Sequence, residues 1–324
     1  MKVRFWGVRG SCPAPLGGGV FESRLVAILA ALGQSETPPD LNDSVAVLEW
    51  IRALPPSLGR LTGGNTPCVE MRTDDGELYI LDLGSGARLL GNALMNEDFK
   101  AGQGRAHIFL SHLHWDHIQG WPFFSPAYVA GNEFTIHARH DGVMERLHSQ
   151  QQAPFFPPDS WEEMRARIEF DHLSGSELLL QDGKMRVTWH ELDHPSRAWA
   201  YRFECGGKVL VYASDGAYHN LDEASRKKFV DFYRGADLLI FDAQFTLAES
   251  FEKKTWGHSS AIVGVELACE ADVKRIALFH HDPSANDGHL NDLLDSGLQL
   301  AQSLRGDGSG PEVFLAREGD QVSL

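Results

Sequence analysis

Ala106-His107-Ile108-Phe109-Leu110-Ser111-His112-Leu113-His114-Trp115-Asp116-His117 joins a short apolar run to a dense cluster of metal-ligating side chains. The run from Ala106 to Ser111 reads as a strand that ends in polar residues. His112 and His114 are two apart, so on an extended end they project to the same side. Asp116 and His117 then fall on the turn that follows. Such a loop can offer two groups of ligands to two neighbouring metals. Imidazole and carboxylate are suitable donors for zinc, manganese or iron. The alternative is a chance surface cluster. Three imidazoles and a carboxylate in the order H-x-H-x-D-H argue against it.

Outward from this loop the chain reads as many short strands with helices between some of them. Val69 to Thr73 and Glu77 to Asp82 flank the turn Asp74-Asp75-Gly76 and predict a hairpin. Val3 to Trp6 opens the chain as a strand. Further strands are expected at Phe134–Ala138, Met185–Leu192, Trp199–Glu204, Lys208–Ala213, Leu238–Asp242, Arg275–His280 and Glu312–Ala316. Ser259 to Glu270 predicts a helix with an N-cap serine and apolar positions at Ile262, Val263 and Leu267. Mixed sheets with helices packed outside fit this alternation, an α+β architecture. Residues 17–60 differ from the rest. Phe21 to Leu32 and Ser44 to Leu54 have helical spacing, and Pro55-Pro56 closes the second run. They are expected to form an inserted helical hairpin within a single domain spanning residues 1–324. Residues 121–161 hold Trp121, Phe123, Phe124, Phe155, Phe156 and several prolines, including Pro158. Such a stretch suits either a lid over a site or a satellite hydrophobic cluster.

The composition narrows the function classes. With 29 Lys+Arg against 45 Asp+Glu the net charge is −16, which argues against a general nucleic-acid groove. No apolar run reaches the ~20 residues of a membrane helix, and the first residues lack the apolar region of a secretory signal. A cytoplasmic protein with no membrane partner is therefore expected. Cys12, Cys68, Cys205 and Cys269 form no C-x-x-C pair, so they read as reduced thiols. The chain carries 15 His, about half the Lys+Arg count, and that surplus has to be explained.

H-x-H-x-D-H after a short apolar strand resembles the metallo-β-lactamase-fold hydrolases. The resemblance continues along the chain. His194 in Leu192-Asp193-His194-Pro195 resembles that family's next ligand. Asp215 in Tyr212-Ala213-Ser214-Asp215-Gly216 resembles the carboxylate that bridges two metals. His280 in Ile276-Ala277-Leu278-Phe279-His280 resembles the final ligand, with His281 held in reserve. The implied fold is a four-layer αββα sandwich with metals at the top edge between two sheets. The segment His194-Pro195-Ser196-Arg197-Ala198-Trp199-Ala200-Tyr201-Arg202 looks like the phosphodiesterase branch rather than the glyoxalase or lactonase branches. Val8-Arg9-Gly10-Ser11, Gly63-Gly64-Asn65-Thr66, Asp82-Leu83-Gly84-Ser85-Gly86 and Trp256-Gly257-His258-Ser259 are similar to further motifs of that branch. Its members include nucleases of tRNA 3′-end processing and cyclic-nucleotide phosphodiesterases.

What the resemblance implies can be stated residue by residue. One metal is held by His112, His114 and His194, and the second by Asp116, His117 and His280. Asp215 bridges them. The cofactors are two divalent ions, zinc first, with manganese and iron as alternatives. A water shared by the metals ionises near neutral pH and attacks phosphorus in line. His258 steadies an oxygen or protonates the leaving alkoxide. Asp116 and His258 are thus the catalytic candidates. Asp82 either orients a ligand imidazole or caps its own turn. Asn65 is read as structural, and Trp115 and Trp121, which flank the metal loop, either stack on a base or pack the lid. The expected reaction is hydrolysis of a small phosphodiester, a cyclic nucleotide being one such substrate. Alternatives are a metal-dependent ester, lactone or thioester hydrolase, and a non-catalytic metal-binding or sensing module. Long nucleic acid is disfavoured by the charge. The insertion could shape the pocket or form a homodimer contact.

Overall fold

A computed structural model of the chain describes residues 1–157, 160–219, 222–305 and 310–324, so Pro158 lies outside the described residues. The described residues form fourteen strands: β1 (Lys2–Gly7), β2 (Cys68–Arg72), β3 (Leu78–Leu81), β4 (Arg105–Phe109), β5 (Glu133–Ala138), β6 (Arg167–His172), β7 (Glu177–Leu180), β8 (Met185–Leu192), β9 (Ala198–Cys205), β10 (Lys208–Ala213), β11 (Leu238–Asp242), β12 (Arg275–Phe279), β13 (Glu312–Leu315) and β14 (Gln321–Ser323). They form two seven-stranded sheets, ordered β14-β1-β2-β3-β4-β5-β6 and β13-β12-β11-β10-β9-β8-β7. The expected hairpin is β2 and β3, paired antiparallel with Val69 opposite Leu81. From β3 to β6 all neighbours are parallel, as are all neighbours from β10 to β13.

Alternation along the strands builds the layers. In β3, Tyr79 and Leu81 face the opposing sheet, whereas Leu78 and Ile80 face outward to a helix. In β12, Ala277 and Phe279 point between the sheets, and Ile276 and Leu278 point to the outer helices. Each large apolar side chain so buried contributes about 1.5–3 kcal/mol. The helices Glu223–Tyr233, Ala261–Glu270 and Asp287–Arg305 flank the second sheet, and Gly86–Leu94 flanks the first. The result is the expected αββα sandwich. Ser260 caps the helix Ala261–Glu270 through a bond from Val263 N to its hydroxyl.

Three strands differ from the sequence expectation: β6, β7 and β14 were not anticipated. All three lie at sheet edges, where one side of a strand faces solvent and the apolar signal weakens. The 17–60 segment contains the helices Gly18–Gly33, Ser44–Ala53 and Pro56–Gly59, and none of them buries a side chain. Arg24 anchors it through ionic contact with Asp287, and its bond to the Leu58 carbonyl ties the first helix to the third within the segment. Residues 121–161 divide. Trp121 and Phe124 are fully buried against the first sheet, whereas Phe123 and Phe155 are exposed. Among the described residues no helix is long and apolar enough to cross a membrane. Cys12, Cys68, Cys205 and Cys269 are thiols rather than disulfides.

One polar chain crosses three parallel strands. His137 Nε2 meets His107 Nδ1 at 2.9 Å, and His137 Nδ1 donates to Asp171 at 2.9 Å. Burial pushes His137 down to about 4, although Asp171 opposes the shift. Unfolded histidine titrates near 6.5, so between these pH values the unfolded chain binds the extra proton. The contribution of His137 is therefore complete above about pH 6.5 and is lost as pH falls towards 4. Urea unfolding midpoints at pH 7 and pH 5 should differ less for His137→Gln than for the unsubstituted protein. Equal differences would contradict this assignment.

Candidate metal centre

The strand ends deliver the polar residues to one rim. Asp82 follows β3, His112 follows β4, His194 follows β8 and Asp215 follows β10; Asp242 ends β11 and His280 follows β12. Crevices at the carboxyl ends of parallel strands are where open α/β sheets bind ligands. Asp82, Asp215 and His280 have φ near +60°, as does Ser11 from the loop after β1. The left-handed region costs a non-glycine residue roughly 1–2 kcal/mol. Here it turns the chain sharply out of each strand while the side chain stays at the rim. A single helical turn, Trp115–Ile118, then lifts Asp116 and His117 into the same space.

Asp116, His117 and His280 form a triangle. Asp116 Oδ2, His117 Nε2 and His280 Nε2 are mutually 3.3 Å apart. Asp215 adds a fourth corner, with Oδ2 at 3.1 Å from His117 Nε2 and Oδ1 at 3.3 Å from His280 Nε2. The second set is His112, His114 and His194, whose ligating atoms lie within 4.8 Å of one another. His114 Nδ1 and His194 Nε2 are 3.1 Å apart. Asp215 Oδ1 reaches within 3.9 Å of His112 Nε2, so its carboxylate adjoins both sets.

These separations fit a cation better than hydrogen bonding. Tetrahedral bonds of 2.0–2.1 Å give ligand–ligand edges of about 3.3 Å. Imidazole nitrogens facing each other at 3.1 and 3.3 Å can be reconciled only by a shared proton or a metal ion. His112 Nε2 is buried with no hydrogen-bond partner among the described residues. Burial, with the neighbouring His117, holds His112 well below its ordinary value, so it offers a lone pair. Burial opposes protonation of His117 as well, yet Asp215, Asp116 and Asp82 outweigh it and raise His117 well above its usual range. Burial likewise opposes ionisation of Asp116 and Asp215. The nearby imidazoles prevail and hold both carboxyls below the usual carboxylate range. Ionised carboxylates and converging nitrogens are a donor set suited to divalent cations.

His194, His114 and His117 are each aimed by their other nitrogen. His194 Nδ1 donates to the Gly257 carbonyl at 3.0 Å, and His114 Nε2 lies 2.6 Å from Ser196 Oγ. His117 Nδ1 donates to Asp82 Oδ2 at 2.7 Å, so of its two readings Asp82 orients an imidazole. His281 points away and meets the Ala316 carbonyl at 2.9 Å, leaving His280 in the cluster. Asn65 is structural: its carbonyl accepts from Val8 and Arg9, and its side chain meets Glu318 and Ser85. His258 Nδ1 donates to Asp242 Oδ2 at 2.8 Å and lies 3.8 Å from Asp215.

Asp242, Ser196 and Ser11 were missed by sequence reasoning. Ser11 donates its backbone N–H to Asp116 Oδ2 at 2.7 Å. The signal for Asp242 was available: Leu238-Leu239-Ile240-Phe241-Asp242 is an apolar run ending in a carboxylate, like the runs before Asp82 and Asp215. Ser196 and Ser11 act from loops, which carry no such pattern. The cluster opens into a cleft of about 460 Å³, walled also by Trp115 and Trp256. Trp121 is fully buried, as expected of packing, but Trp115 is 67% exposed and does not pack a lid.

The beta-lactamase superfamily domain matches residues 92–281, more than half of the chain and the span from before the metal loop to His281. Ribonuclease Z of Prochlorococcus marinus is 22% identical over 302 residues, covering 76% of this chain and 90% of the relative. The metallo-beta-lactamase fold protein YhfI of Bacillus subtilis superposes with a TM-score of 0.62 at 18% identity, covering 99% of this chain and 98% of that one. The short form of human tRNase Z gives 0.60 at 18% identity, covering 100% and 99% respectively.

Asp82 accepts from Ser111 N, Ser111 Oγ, His117 Nδ1 and Tyr212 OH, each at 2.7 Å. An amide has one acceptor oxygen and would turn N–H groups against at least one of these donors. Asp82→Asn should weaken divalent-metal binding about 10–100-fold, as loss of such supporting bonds generally does. Competition against a chromophoric chelator measures this, and unchanged affinity would refute the role.

Proposed function

The chain belongs to the beta-lactamase superfamily and is a metal-dependent hydrolase, and on that premise we propose that it hydrolyses a small phosphodiester at two divalent metal ions. The observation that carries this reading is the pair of donor sets sharing Asp215, with a His–Asp pair beside them. One ion would be held by His112, His114 and His194. The other would be held by Asp116, His117 and His280, with Asp215 between the two. Zinc suits the imidazole-rich donors and the edge lengths, and manganese or iron are the alternatives. Bound divalent ions supply Lewis acidity, which ionises water near neutral pH and neutralises charge on phosphate oxygens.

The remaining chemistry belongs to the chain's own residues. With Nδ1–H donated to Asp242, Nε2 is the nitrogen left to exchange a proton, and it carries one when the ring is in its imidazolium form. His258 delivers that proton to the leaving oxygen. Asp242 is its positioning residue, itself steadied by Gly216 N at 3.3 Å and Gln244 N at 3.2 Å. The imidazoles of His117 and His280 keep Asp116 ionised, and Ser11 N donates to its Oδ2.

Substrate size is argued from charge and room. A surface of net charge −16 repels a long polyanion, while two divalent ions attract a single phosphate locally. The cleft of about 460 Å³ has the volume of a small-molecule site. A cyclic nucleotide falls within this class. The second reading is cleavage of an RNA phosphodiester, favoured by the name of the ribonuclease Z relatives.

The test combines metal analysis with turnover of bis(p-nitrophenyl) phosphate, cyclic AMP, cyclic GMP, a precursor tRNA and a lactone panel. Uptake of about two zinc or manganese ions with diester turnover is the expected result. Asp116→Ala should abolish turnover. Survival of turnover in that variant would exclude a reaction at this centre. His258→Ala should reduce turnover about 10²–10⁴-fold where the leaving group is an alkoxide. It should cost far less for p-nitrophenolate, which needs no proton. Precursor tRNA cleaved in preference to the small diesters would favour the RNA reading. Lactone turnover alone would favour an ester hydrolase.

A further inference from the structure

Trp115 stands between two hollows. On one side it walls the cleft that holds His114, Asp116 and His258. On the other it walls a separate hollow of about 650 Å³ together with Pro122, Phe123, Arg146, Phe155 and Phe156. The exposure there is unusual for large rings: Trp115 is 67%, Phe123 53% and Phe155 83% exposed. Grouped apolar exposure of this kind marks a binding surface more often than an idle one. Phe123 and Phe156 already meet edge to face, with centroids 5.5 Å apart. The hollow is tied to the metal loop rather than hung from it. Gln150 donates to the Ile118 carbonyl at 3.2 Å, and Gln119 N bonds the Trp115 carbonyl at 2.7 Å.

Resting on the phosphodiesterase reading, we propose that this hollow is a subsite for a flat aromatic group, such as a nucleobase or aryl ring, on the non-leaving arm of the substrate. The two sides of the cleft differ in origin. His258 and Trp256 come from the segment between β11 and β12, in the second sheet, and His258 serves the leaving oxygen. Trp115 and the aromatic hollow follow β4, in the first sheet. A diester with phosphorus in the cleft therefore sends its leaving arm toward Trp256 and its other arm across Trp115. Rings stack on exposed aromatic faces with little regard to their identity. Arg146 lines the same hollow, and its guanidinium also donates to the Asp141 carbonyl. A methyl or other small arm fills none of this space.

The test holds the leaving group constant. 1-Naphthyl p-nitrophenyl phosphate and methyl p-nitrophenyl phosphate are compared on the zinc-loaded protein, with Phe123→Ala and Phe155→Ala alongside. The naphthyl diester should show a kcat/KM advantage of roughly 10- to 100-fold, carried by KM. Both variants should lose most of that advantage while turning over the methyl diester as before. No advantage, or equal losses on both diesters, would overturn the subsite. Calorimetric binding of 1-naphthyl phosphate and methyl phosphate gives a readout without turnover. If neither diester is hydrolysed but naphthyl phosphate binds at least tenfold tighter, and Phe155→Ala removes that margin, the phosphodiesterase reading fails and the subsite stands. Equal binding of the two monoesters would overturn the subsite in that case.

Discussion

A buried carboxylate with no exposed surface, Asp82, ties the two sheets together at the rim where the polar residues meet. It accepts from Ser111 on the first-sheet side, from Tyr212 on β10 of the second sheet, and from His117 of the metal loop. A buried charge of this kind is costly unless its hydrogen bonds are complete. Its completeness makes the constraint mutual: the metal loop, the sheet spacing and the His117 tautomer are satisfied together or not at all. The inter-sheet core beneath, with Tyr79, Phe109, Phe203 and Phe279, sets the distance at which this carboxylate can serve both sides.

Above that constraint the site gathers more charge than the core alone could hold. Asp116 and Asp215 stay ionised because His112, His117 and His280 surround them, and those imidazoles tolerate burial because the carboxylates are there. Divalent ions would relieve the same conflict with more charge and fixed coordination. The strained backbone at Asp82, Asp215, His280 and Ser11 belongs to this balance. Each residue gives up a favourable conformation so that a strand can end and its side chain can remain at the rim.

The surroundings of the centre are unequal. The second sheet's outer face is covered by long helices, and that side contributes Asp242 at the end of β11 and His258 from the loop before the helix Ala261–Glu270. The first sheet's outer face is covered partly by the aromatic stretch, which buries Trp121 and Phe124 and leaves Phe123 and Phe155 in the open. The 17–60 segment adds helices with no buried side chain, held through Arg24. Its helical spacing was legible in the sequence, but an apolar stripe does not say what it faces, and Leu25 and Leu29 are exposed.

The central strands, the hairpin and the metal loop were legible because alternation and ligand spacing are local properties. Edge strands β6, β7 and β14 were not, because half of each lacks the burial that makes alternation visible. By itself the sequence determined that His112, His114, Asp116 and His117 share one loop, and that His194, Asp215 and His280 each stand at the end of an apolar run. Only the tertiary structure decided that His280 rather than His281 joins them, that Asp242 holds His258, and that Trp115 faces open space while Trp121 does not. The reason is physical. Neighbouring residues at a strand end can point either way, and a turn with positive φ resolves the choice only when partners from distant strands are already in position.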